Sequence, residues 1–136
     1  MKRETSNVRP VSIYNFKSSI MFLQLDHKSL KVYGAVRELT KEIYKITNRL
    51  SSDEKFNMIQ QARRAVLSVT LNLAEGSSRK SLQERKRYYE ISRGSLIEID
   101  AILETAVDLG YLPTKELVEA GELLNKCFAM LSNMIN

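Results

Sequence analysis

Few residues in this chain have the type and spacing for covalent or metal chemistry. There is one histidine, His27, and one cysteine, Cys127, far apart in sequence. Zinc sites are assembled from several Cys and His at short regular spacings, so the usual ligand sets cannot be built here. Cys127 falls in the middle of an apolar helical stripe and reads as a small buried hydrophobe rather than a nucleophile. Glycine loops of the G-x-x-x-x-G-K-[ST] or G-x-G-x-x-G type, which cradle phosphates, do not occur. A paired-carboxylate di-metal site would want Glu-x-x-His on inward helix faces, and the histidines are missing. Glu98, Asp100 and Glu104 mostly point away from the apolar arc of their helix and read as solvated. The expectation is a protein without cofactor or metal, and not an enzyme.

What remains is charge. The chain carries 21 Lys and Arg against 16 Asp and Glu, a net charge of +5. Residues 1–93 hold 19 of the cations and 9 of the anions, whereas residues 94–136 hold 2 and 7. The densest tract runs from Gly76 to Arg93, with Arg79, Lys80, Arg85, Lys86, Arg87 and Arg93 against Glu84 and Glu90. Arg63 and Arg64 precede it, and Tyr88 and Tyr89 lie within it. Such a surface suits a phosphate backbone, because each Lys or Arg that meets a phosphate releases condensed counterions. The competing reading is a solvated face paired with acidic residues of the last helix or of a neighbouring molecule. Basic residues at a helix start oppose the macrodipole, which hints at a use for them. Tyr88 and Tyr89 could stack on unpaired bases. Tyr88 also falls on the inner arc of its helix, where core packing with a wet hydroxyl is the simpler assignment.

The elements that would position these residues are helices. A chain of 136 residues, 43% hydrophobic and 27% charged, is enough for one domain with its own core. Few glycines and prolines disfavour an all-β fold, and no apolar run approaches the ~18–20 residues that cross a bilayer. A first helix is predicted from about Lys28 to Leu50, with Leu30, Tyr33, Val36, Leu39, Ile43 and Ile46 at three- and four-residue steps. Ser51 and Glu54 have capping-box spacing before a second helix that runs to Glu75, with Gly76 as its C-terminal glycine of positive φ. Ser81 and Glu84 repeat the capping pattern before a third helix, which ends at Gly110. Its predicted inner face is Tyr88, Ile91, Ile99, Ile102, Leu103 and Ala106, with Ser92 and Ser95 small enough to admit a neighbour closely. Thr114 is the expected N-cap of a fourth helix carrying Leu117, Ala120, Leu124, Cys127, Leu131 and Met134. Four amphipathic helices with short connections predict an all-α, antiparallel up-down-up-down four-helix bundle over residues 25–136.

Residues 1–24 show no sustained periodicity and no signal-peptide pattern, and read as an N-terminal extension in which Met21 offers an alternative start. The lone cysteine fits a reducing cytoplasm.

The second helix has more apolar surface than one bundle uses. Met58, Ile59, Ala62, Ala65, Val66, Val69 and Leu73 fill one arc, and Phe56, Leu67, Leu71 and Ala74 widen it to roughly two-thirds of the circumference. Burial against further copies of the chain is the expectation, with residues 1–24 folding back as the alternative.

Several blocks together resemble a known bacterial family. They are Gln61-Ala62-Arg63-Arg64-Ala65, Ser68, Asn72-Leu73-Ala74-Glu75-Gly76 with Arg79, Gly94-Ser95-Leu96-Ile97-Glu98, and Leu109-Gly110-Tyr111-Leu112, with Leu30-Lys31-Val32-Tyr33 and Ile43-Tyr44 upstream. The set is similar to the four-helix-bundle proteins whose genes lie in intervening sequences of 23S ribosomal RNA genes, and the likeness spans about residues 28–136. The resemblance implies a ring-shaped homopentamer. A related branch serves diversity-generating retroelements as an accessory protein that binds nucleic acid and the reverse transcriptase, so a reverse-transcriptase or ribosomal partner is also implied. Arg63, at the margin of the apolar arc, is expected to reach Glu75 or Glu98 of its own or a neighbouring chain. With Asn72 these residues would form a structural or interface network. The functional expectation is an oligomeric scaffold that binds RNA or DNA through Arg64, Arg79, Lys80, Arg85, Lys86, Arg87 and Arg93. The alternative is a protein–protein assembly factor with no nucleic-acid role.

Overall fold

The computed structural model describes residues 22–136, so nearly all of the expected extension lies outside the described residues. Four helices follow in order: α1 (Lys31–Thr47), α2 (Gln60–Ser77), α3 (Leu82–Asp108) and α4 (Val118–Ile135). Each packs on its neighbours in sequence, and α4 closes on α1. The result is the antiparallel up-down-up-down bundle, with α2 and α4 at opposite corners.

The core follows from helical periodicity. Val36, Leu39, Ile43 and Ile46 of α1 meet Val66, Val69 and Leu73 of α2, Ile99 of α3 and Leu131 of α4, all fully buried. Each such side chain contributes about 1.5–3 kcal/mol by leaving water. At the end where α1 stops, two connections are clasped. Arg49 pairs with Glu116 at 3.0 Å, and the Tyr111 hydroxyl donates to Glu54 at 2.9 Å.

The ends of the helices differ from the predicted ones in instructive ways. A 3-10 turn, Asp26–Ser29, replaces the first residues of the expected first helix, and α1 stops three residues short of Leu50. The Ser51–Glu54 capping box does not form. Ser51 Oγ accepts from the Asp53 amide, and the Glu54 carboxylate accepts from the Met58 amide across a π-helical turn, Lys55–Ile59. Ser81 does cap α3, accepting from the Glu84 amide at 3.0 Å. Thr114 is not an N-cap: it opens a 3-10 turn after Pro113, and α4 starts at Val118. Gly110 ends the third helical segment at φ +79°, as its position predicts.

Gly76 is the clearest correction. It is helical and buried inside α2, and has no positive φ. Its glycine serves close approach to α3, where an added Cβ would lie 2.8 Å from Tyr88 Cβ and 2.9 Å from Tyr89 Cε1. Small residues continue this seam. Ser92 Oγ donates to the Val69 carbonyl at 2.8 Å, and Ser95 Oγ to Ser68 Oγ at 2.9 Å. The tight seam rotates α3 so that Tyr89, Ser92, Leu96, Ile99, Leu103 and Ala106 face inward. Tyr88 and Ile102 are thereby only partly buried and Ile91 is exposed.

Among the described residues the apolar surplus of α2 stays uncovered, and the alternative cover, residues 1–24, lies almost wholly outside them. Leu67 and Leu71 are 49% and 58% exposed on its outward face, and Phe56 before it is 82% exposed.

Candidate nucleic-acid interface

The topology gathers most of the cationic tract at one end of the bundle. The α2–α3 connection supplies Arg79 and Lys80, and the first two turns of α3 supply Arg85, Lys86 and Arg87. Because α1 begins at the same end, Lys28 and Lys31 join them, an addition that the sequence tract did not include. The signal was present in the topology: an up-down-up-down chain brings the start of its first helix beside the end of its second.

The cations divide by what they already hold. Arg79 pairs with Glu75, donates to the Tyr88 hydroxyl at 3.0 Å and lies 4.9 Å from the centre of the Tyr88 ring. Arg93 donates to Ser132 Oγ of α4 at 3.0 Å and lies over the Phe128 ring. These two guanidiniums are structural ties as much as surface charges. Arg85, Lys86 and Arg87 form no ion pair among the described residues. Lys86 and Arg87, with Gln83, Glu84 and Glu90, line a shallow depression on the outer side of α3. Arg64 is exposed and also forms no ion pair among the described residues. It stands fifteen residues before Arg79 on α2, roughly 20 Å along the axis, and is not part of the cluster.

The expected Arg63–Glu75–Glu98 network is not what the chain builds internally. Arg63 turns to α1, where Nε donates to Thr47 Oγ1 at 2.9 Å and the terminal amine to Asn48 Oδ1 at 2.8 Å. Its guanidinium stacks 4.6 Å from the centre of the Tyr44 ring. The reason is proximity: the first turn of α2 folds back beside the last turn of α1, whereas Glu75 is three turns away. Asn72 instead belongs to the α2–α3 seam, donating to the carbonyl and hydroxyl of Ser68. Glu98 is exposed.

The tyrosines exchange roles. Tyr89 is the buried one, its hydroxyl sharing a hydrogen bond with Ser77 Oγ at 3.1 Å. Tyr88 is the partly exposed partner of Arg79. His27 packs edge-on against Tyr33, and burial together with Lys28 lowers its pKa. Among the described residues no group of three or more His, Cys, Asp or Glu is placed to hold a metal ion. No helix there is long and apolar enough to cross a membrane.

The opposite half of the α3–α4 wall is acidic, with Asp100, Glu104 and Asp108 on α3 and Glu119 and Glu122 on α4. Along the α3–α4 wall, the cationic start of α3 and this acidic half therefore lie at opposite ends. Comparison with curated proteins finds no match. The family model described as 23S rRNA-intervening sequence protein matches residues 28–133, which takes in all four helices and the cationic end. With the motif blocks lying on the α2–α3 seam and the turns that it fixes, the chain belongs to the 23S rRNA-intervening sequence protein family.

Proposed function

We propose that the protein is a non-enzymatic, homo-oligomeric scaffold of the cytoplasm that binds RNA or DNA through the cationic end of its bundle. The observation that carries this reading is the state of Arg85, Lys86 and Arg87. They stand together beside the α2–α3 connection, and none is spent on an ion pair among the described residues. A cationic group left unpaired at a helix start is unfavourable against the macrodipole until an anion arrives. Phosphates supply that anion, and counterion release supplies the driving force.

The uncovered Leu67 and Leu71 support self-association. A ring, with five copies as the family resemblance implies, would repeat the cationic end around its rim, so that weak contacts combine by avidity.

Fluorescence anisotropy with labelled RNA and DNA tests the reading. Binding is expected at roughly 50 mM salt and should weaken by orders of magnitude near 200 mM. The combined change Arg85→Glu, Lys86→Glu and Arg87→Glu should abolish it while leaving the helical signal intact. Absence of binding at low salt, or binding indifferent to these three changes, overturns the proposal.

A further inference from the structure

The groove between α3 and α4 is a second apolar surface left open among the described residues, and its charge is opposite to that of Arg64 on the outward face of α2. One stretch of it encloses about 470 Å³ and the next about 220 Å³, and the two run together through Asp100, Gly121 and Leu124. Leu103, Leu117 and Phe128 give it an apolar floor, and Asp100, Glu104 and Asp108 line it without a cation among them. Ile97 and Phe128 remain exposed at its lower end. Gly121 sits in the middle of the groove, on a regular turn of α4. A Cβ built there meets nothing within 4 Å. Glycine weakens a helix relative to alanine, and no contact among the described residues requires it here. Its effect is to keep the groove open.

The face of opposite sign is the outward side of α2. Leu67 and Leu71 lie one turn apart there, beside Arg64, which is exposed and forms no ion pair among the described residues, while Glu75, one turn beyond Leu71, is held by Arg79. Because α2 and α4 occupy opposite corners, this face and the α3–α4 groove look in different directions. Each surface complements the other in charge and neither complements itself. Surfaces of that kind make head-to-tail contacts, which close into rings or continue as filaments, rather than two-fold dimers.

We infer that the occupant of the α3–α4 groove is the α2 face of a second copy, with Leu67 and Leu71 on the apolar floor and Arg64 toward Asp100 and Glu104. This rests on the oligomeric part of the proposed function and adds the pair of surfaces that builds it.

Sedimentation of the purified full chain tests it with two variants, Leu71→Asp in the α2 face and Gly121→Leu in the groove. Both positions leave the core of the single bundle untouched, so the helical signal should persist. The unaltered protein should sediment as an oligomer and each variant as a monomer. An equimolar mixture of the two variants should give a 1:1 dimer, because one retains an intact groove and the other an intact α2 face. If Gly121→Leu loses its helical signal, Asp100→Lys with Glu104→Lys, both at exposed positions, takes its place with the same readings. A monomeric unaltered protein overturns the oligomeric reading and this inference with it. An oligomer that survives the groove change, or a mixture that stays monomeric at the highest concentration the unaltered protein tolerates, overturns the inference alone.

Discussion

Gly76 of α2 lies against the ring of Tyr89 in α3 with no room for a side chain between them: a Cβ at position 76 would stand 2.9 Å from Tyr89 Cε1 and 2.8 Å from Tyr88 Cβ. This contact fixes the rotation of α3, buries Tyr89 and turns Tyr88 outward to Arg79. It thereby sets the connection that carries Lys80 and the start of α3 from which Arg85, Lys86 and Arg87 project.

Replacing Gly76 tests that seam. Alanine gains up to about 1 kcal/mol of helix propensity. Overpacking against Tyr88 Cβ, which is tied to backbone and cannot swing away, costs about 1–3 kcal/mol. Gly76→Ala should therefore lower the urea midpoint. Gly34→Ala, where an added Cβ meets nothing within 4 Å, should raise stability by about 0.5–1 kcal/mol. Opposite signs for two glycines in helices, measured in the same urea titrations, separate close packing from intrinsic propensity.

The same pair of tyrosines shows where sequence reasoning stops. In α1, Val36, Leu39, Ile43 and Ile46 define a single apolar stripe, and the structure buries those residues. In α3 there are two overlapping stripes, one through Tyr88, Ile91 and Ile102, the other through Tyr89, Leu96 and Leu103. Periodicity alone cannot rank them; the small residues of the seam do. Gly76 precedes Ser-Ser-Arg-Lys and looks like a helix terminator, because a glycine needed for close approach and one needed for positive φ are spelled alike. The cationic tract was legible, but the division between committed Arg79 and Arg93 and uncommitted Arg85, Lys86 and Arg87 depends on partners from other turns and helices.

Arg63 joins α1 to α2, and its loss should be felt as stability. Thr47 is buried, donating to the Ile43 carbonyl and accepting from Arg63. Arg63→Ala removes hydrogen bonds to Thr47 and Asn48 and the stacking on Tyr44, a loss of about 1–3 kcal/mol. Arg63→Lys should recover less than half of it, since an ammonium cannot reproduce the planar fork. Glu98→Gln, at an exposed site, should change stability by less than about 0.5 kcal/mol. A double-mutant cycle of Arg63 with Asn48 should show coupling of at least about 0.5 kcal/mol, and a cycle with Glu98 in the monomer should show none.

Arg87 and Arg93 have the same charge and should separate into different measurements. Arg87 is exposed and forms no ion pair among the described residues. Arg87→Ala should reduce the slope of log binding constant against log salt by about one for nucleic acid, with an unchanged melt. Arg93 ties α3 to Ser132 and lies over one side of the Phe128 ring. Arg93→Ala should lower the melting temperature, and its effect on the salt slope should be the smaller of the two.

Cys127 carries a pH dependence whose sign follows from its burial. It is fully buried on the inner face of α4, and desolvation pushes its thiol up to about 11, with Lys126 pulling weakly the other way. In the unfolded chain the thiol ionises near its ordinary value of about 8.5. Between these limits the unfolded state binds fewer protons than the native one, so stability is complete below about pH 8.5 and declines as pH rises toward 11. Cys127→Ala removes that slope and leaves a small cavity costing about 1 kcal/mol. Tyr111 also titrates late, because its hydroxyl donates to the Glu54 carboxylate. That contribution is common to both proteins and cancels in their difference. Urea titrations at about pH 7, 9 and 11 should therefore show the unaltered protein ahead of Cys127→Ala at neutral pH. Its lead should shrink or reverse by the highest pH, whereas a constant lead would mean that Cys127 ionises in the native state as easily as in the unfolded chain.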